Sequence, residues 1–139
     1  MIRKDFILRQ LEELAKILGI LLKLKTENKT DEAMSLLKEA YSGLLNLDDG
    51  FVDEEIPSEV FLKKVEEKGI EGDALHAFAE LLYEDGMLRY ENKLDNAFVR
   101  LHKALILFHL LNRTSLTFSF DRNVKLEKLK TILDDFKYK

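Results

Sequence analysis

No cysteine occurs in these 139 residues, so neither a disulfide nor a thiolate-held metal contributes to the fold. A single proline and six glycines leave little sequence for linkers or low-complexity stretches. There is no nucleophile elbow, no glycine-rich phosphate loop, no CxxC pair and no interleaving of basic and aromatic residues. The chain is accordingly expected to be no enzyme, to carry no cofactor and to bind no nucleic acid, and the net charge of -4 points the same way. Arg3, Lys4 and Arg9 precede an apolar stretch, but Lys16 and Lys23 interrupt it and no small-residue cleavage site follows. Neither a signal peptide nor a membrane span is expected, and the expected location is cytoplasmic.

What is present is charge and helical periodicity. Charged residues make up 35% of the chain, which suits a soluble helical protein, and 139 residues are one domain's worth with enough apolar surface for a core. The most informative feature is a repeat. The sequence ENKTDEA at Glu27 to Ala33 returns as ENKLDNA at Glu91 to Ala97. In the same register Leu11, Ala15, Leu18 and Leu24 match Leu75, Ala79, Leu82 and Leu88, while Leu37, Ala40 and Leu47 match Leu101, Ala104 and Leu111. Shared apolar spacing is common to any two amphipathic helices, but burial does not demand Glu-Asn-Lys followed by Asp and Ala. Asn28 and Asn92 suit a left-handed helix stop, and Asp31 and Asp95 suit the start of the next helix. The unit is a helix, a tight turn and a second helix, present twice.

The expected fold is all-α, one domain over residues 1–139, with helices over about 3–25, 31–47, 57–68, 73–92, 95–112 and 121–137. Residues 48–55 read as an acidic, solvated turn around Gly50. Pro57 and Glu59 suit the opening of the short third helix, and Gly69 with Ile70 suits its close. Leu116, Phe118 and Phe120 alternate as a short extended strip. The last helix, with Leu126, Leu129, Ile132, Leu133 and Phe136 at helical spacing, is placed to cover the open end of a repeat stack.

Ala33 with Ala40, Ala97 with Ala104, and HKAL at His102 to Leu105 resemble the second helix of the tetratricopeptide repeat. The glycine of that motif's first helix should lie twelve residues before the alanine, whereas Gly86 lies eleven before Ala97 and Gly19 fourteen before Ala33. The two copies stand 64 residues apart, near two 34-residue repeats but not equal to them. The opening MIRKDFILRQLEELAKIL, the central LNLDDGFVDEEIPSEVFLKKV and the later AFAELLYEDGMLRYENKLDNAFVRLHKALILFHLL also resemble, over roughly residues 1–112, a family of small bacterial proteins with a domain of unknown function. The tetratricopeptide resemblance implies two hairpins whose first helices line a groove for a protein or peptide partner. By position, Lys25, Thr26, Arg89 and Tyr90, with Arg9 nearby, would face it and would suit an acidic or C-terminal carboxylate peptide.

Other residues admit other chemistry. His102 and His109 lie seven apart, and His76 could join them in a metal or small-ligand site, which stands as the alternative function. No HExxH or Glu-x-x-His spacing supports it, and edge-of-core histidines are far commoner. Residues 48–73 hold ten acids against three bases, while residues 1–25 and 113–139 each carry an excess of three positive charges. Such asymmetry can steer a partner. The run ALILFHLL at Ala104 to Leu111 is apolar almost all round its helix, so it lies either at the centre of the fold or against another subunit. Ile7, Leu8, Ile17 and Ile20 widen the face of the first helix in the same way, and a homodimer is therefore a possible partner state.

Overall fold

The computed structural model describes residues 2–114 and 119–137, and among these there are seven α-helices and no strand. They are α1 (Ile2–Thr26), α2 (Thr30–Leu45), α3 (Asp49–Asp53), α4 (Ser58–Glu67), α5 (Gly72–Glu91), α6 (Ala97–Thr114) and α7 (Phe120–Lys137). None is long and apolar enough to cross a membrane. The helices expected from periodicity are all present, and their ends follow local chemistry. Gly69 closes α4 in the left-handed region (φ 71°), and Ile70 N–H donates back to the Val65 carbonyl at 3.2 Å while its side chain enters the core. Asn46 (φ 54°) ends α2 in the same manner, with Leu47 buried beyond it.

The two copies of the ENK turn are not superimposable. In the first, Asn28 takes the left-handed conformation (φ 59°) and Lys29 N–H reaches the Leu24 carbonyl. In the second that role moves one residue on, to Lys93 (φ 56°), with Leu94 N–H on the Arg89 carbonyl. Asn92 keeps φ near -100° and its side-chain amide donates to the Leu88 carbonyl at 2.8 Å. Lys29, not Asp31, stands at the N-cap of α2 without a side-chain hydrogen bond, and α6 begins at Ala97, after Asn96 (φ 68°) rather than at Asp95. The Asp residues contribute charge near helix starts rather than caps.

The acidic connector is ordered differently from a solvated turn. Asp48 accepts a hydrogen bond from Phe51 N–H at 2.8 Å and so starts α3, a single helical turn. It forms because Phe51 and Val52 are buried: Phe51 stacks on Phe78 (centroids 5.8 Å) and lies 6.0 Å from Phe61. Tyr41 meets Phe78 edge-on, completing an aromatic cluster that ties α2, α3, α4 and α5. Of the expected strip, Phe120 is instead the exposed first residue of α7, and Leu116 and Phe118 lie outside the described residues.

One contiguous apolar core runs from Leu14 to Leu133. α1 pairs with α2 and α5 pairs with α6 as antiparallel hairpins; α5 also packs on both α1 and α2, and α7 covers α6. This makes the second copy central and the first peripheral. Ala79 and Leu82 of α5 are fully buried, while their counterparts Ala15 and Leu18 of α1 are exposed and half-buried. The apolar run of α6 is buried by its own chain, through Ala104, Leu107, Phe108 and Leu111. On α1, Ile20 and Leu22 remain 50% and 66% exposed.

Candidate functional site

The polar residues that the core admits lie mostly in the second copy. Asp85 sits on α5 with its carboxylate almost fully buried, and three donors meet it. Arg89 Nε donates to Oδ1 at 2.8 Å, Arg100 Nε to Oδ2 at 2.6 Å, and the Tyr41 hydroxyl to Oδ2 at 2.9 Å. Arg100, buried on α6, also donates through Nη1 to the Asn96 carbonyl (3.3 Å) and through Nη2 to Asp53 at the end of α3. Burial pushes the Tyr41 phenol well above its ordinary range, and the neighbouring Asp85 charge adds to this. For Arg100, burial opposes the charge and Asp85 favours it, with a net upward shift. Among the described residues no buried side-chain nitrogen or oxygen lacks a hydrogen bond.

This network forms one wall of a solvent-open cleft of about 250 Å³ between α2, α3, α5 and α6, whose rim carries Met34, Ser35, Lys38 and Asp49. Lys38 meets Asp49 at 3.3 Å. Arg89 uses Nε on Asp85 and Nη1 on the Asp95 carbonyl (3.0 Å). Its Nη2 has no partner among the described residues and is not fully buried.

A second buried charge lies one turn beyond Arg100. Lys103 Nζ donates to the carbonyls of Phe51 (3.0 Å) and Val52 (2.9 Å) and lies 5.2 Å from the centre of the Phe61 ring, pinning α3 from below. Burial, with the nearby Arg100 charge, lowers its pKa from 10.5 to about 8, against the opposing charges of Glu54 and Asp53. Between those values the unfolded chain binds more protons than the folded one, so stability rises with pH. The protein is expected to gain about 1–2 kcal/mol between pH 8 and 9.5. Above that window the raised tyrosines Tyr41 and Tyr83 act in the opposite sense. Urea unfolding at a series of pH values measures this, and Lys103→Met should flatten the rise.

The residues expected to face a groove are only partly brought together. Lys25 pairs with Glu84 of α5 at 3.5 Å, and the Thr26 hydroxyl donates to the Leu22 carbonyl in its own helix. Thr30 and Asn92 approach to 3.5 Å, so the two ENK turns lie side by side and Lys25, Thr26, Arg89 and Tyr90 share one end of the molecule. Arg9 is exposed sixteen residues back along α1, about 24 Å from Lys25 by helical rise. Arg89 and Tyr90 line one pocket of about 360 Å³ together with Phe136 of α7, whose ring lies 5.9 Å from that of Tyr90, and Arg89 also lines the polar cleft. Phe136 in turn meets Phe98, which stacks on His102. His109 is exposed, His76 is half-buried on α5, and no group of three His, Cys, Asp or Glu among the described residues is arranged to hold a metal ion.

Periodicity alone passes over Tyr41, Asp53, Asp85, Arg100 and Lys103. The repeat register does carry a signal for two of them, because Asp85 and Arg100 occupy the positions held by Leu21 and Leu36 in the first copy. A charge at an otherwise apolar core position needs buried partners. The chain matches no protein-family model, no curated protein and no solved structure in the comparisons made.

Proposed function

We propose that the chain is a cytoplasmic protein-interaction module built from two tetratricopeptide-like hairpins, and that it engages its partner at the polar cleft. The observation that carries this reading is the cleft itself. Two arginines are held at fixed positions by a buried carboxylate on the wall of the cleft. Arginines oriented in this way are suited to carboxylate recognition.

A photo-crosslinking amino acid placed at Ser35, on the exposed rim, should trap a discrete partner in the native host, and Arg89→Glu should abolish the adduct. The same group at Lys128, on the outer face of α7, should trap nothing. Equal yields from the two positions, or none from Ser35, would sink the reading.

A further inference from the structure

The charges around the cleft divide into a rigid set and a movable set. Arg100 and Asp85 are 5% and 3% exposed at the side chain, and Arg89 is 16% exposed and tied at both Nε and Nη1. Asp49 and Asp53 are different, with 58% and 48% of their side chains exposed on the single turn of α3. They stand four residues apart, so both project from one face, and each meets a cation across the cleft: Asp49 meets Lys38, and Asp53 meets Arg100. Without these two, Lys38, Arg89 and Arg100 would face Asp85 alone, an excess of two positive charges.

We propose that the cleft binds an acidic segment of a partner protein through two carboxylates one helical turn apart, and that Asp49 and Asp53 occupy those seats in the free protein. This rests on the interaction-module reading above and names the chemistry of the partner. α3 acts as an internal copy of the ligand, and its backbone stays in place when the partner binds. Phe51 and Val52 are buried, Asp48 caps the turn, and Lys103 holds its last carbonyls. Only the two aspartate side chains rotate outward, and the incoming carboxylates take up Lys38 and Arg100 Nη2, beside the Arg89 charge. The Ser35 hydroxyl lies on the same rim.

The test uses the full chain and an alanine-based helical peptide with two glutamates four residues apart, titrated calorimetrically at low ionic strength. The double variant Asp49→Asn, Asp53→Asn should bind this peptide about tenfold more tightly than the unmodified protein, as expected when the two half-exposed aspartates no longer compete for these cations. The peptide with glutamines in place of glutamates should not bind. Adding Lys38→Gln, at a side chain 70% exposed and so neutral for folding, should reverse the gain, as should Arg89→Gln. Unchanged affinity in the double variant, equal binding of the glutamine peptide, or indifference to Lys38→Gln would each overturn the proposal. If those results appear while the Ser35 adduct persists and still depends on Arg89, the interaction module stands and only the acidic-segment assignment falls. If the peptide binds as expected and no Ser35 adduct forms, the cleft is an acid-binding site and the module reading falls.

Discussion

Asp85→Leu is expected to destabilise the protein by about 3–5 kcal/mol, near the lower figure because Asp53 still holds one end of Arg100. The loss comes from leaving Arg100 Nε without its carboxylate among apolar neighbours, while the Tyr41 hydroxyl keeps only the Leu81 carbonyl at 3.3 Å, and not from the net worth of the ion pair. Desolvation of the two charges offsets most of their attraction, so a buried pair replaced as a unit by apolar groups is commonly near neutral. The duplication itself supplies the apolar solution: the first copy has Leu21 and Leu36 where the second has Asp85 and Arg100, and both leucines pack against the core. Combining Asp85→Leu with Arg100→Leu and Tyr41→Phe should therefore recover stability to within about 1 kcal/mol of the starting protein. Arg89, released from Asp85, keeps its hydrogen bond to the Asp95 carbonyl. Chemical denaturation of the single and triple variants decides the matter. A triple variant as unstable as Asp85→Leu would show that the two hairpins do not share an interchangeable core.

Gly86→Ala should cost about 1–3 kcal/mol even though alanine is the better helix former by about 1 kcal/mol. A Cβ at Gly86 would lie 2.6 Å from Leu101 Cδ2, 2.7 Å from its Cγ and 3.0 Å from its backbone nitrogen. The methyl end of Leu101 can swing aside, but the branch carbon and the backbone of α6 cannot move without separating the α5–α6 hairpin. Gly43 in α2 serves as the control, because a Cβ there meets nothing within 4 Å. Gly43→Ala should stabilise by about 0.5–1 kcal/mol. Thermal melts of the two variants should thus shift in opposite directions. An upward shift for Gly86→Ala would mean that the helices are not in close contact at Leu101.

The close approach at Gly86 also marks how far local pattern reaches. Its glycine falls one residue from the tetratricopeptide register, yet it lies where α5 crosses α6, and the second ENK turn is likewise displaced by one residue relative to the first. The turn residues were legible, but which of Asn92 and Lys93 takes the left-handed conformation was not. That choice depends on how far α5 extends before it meets α6, with Asn92 bonded back to Leu88. The candidate site was less legible than the fold. Arg89 stood out by position, whereas Asp53, Asp85 and Arg100 read as ordinary helix surface or acidic turn.

The duplicated hairpin, the long helices and the glycine stop at Gly69 were determined by the sequence alone, because apolar period, turn chemistry and left-handed stops act between residues a few positions apart. The tertiary structure decided which copy is central, that the acidic connector folds as α3, and that a charged network crosses the core. Tyr41 lies 44 residues from Asp85, and Arg100 lies 47 from Asp53. At such separations a charge can be buried only once packing brings its partner within hydrogen-bond reach and excludes water from both.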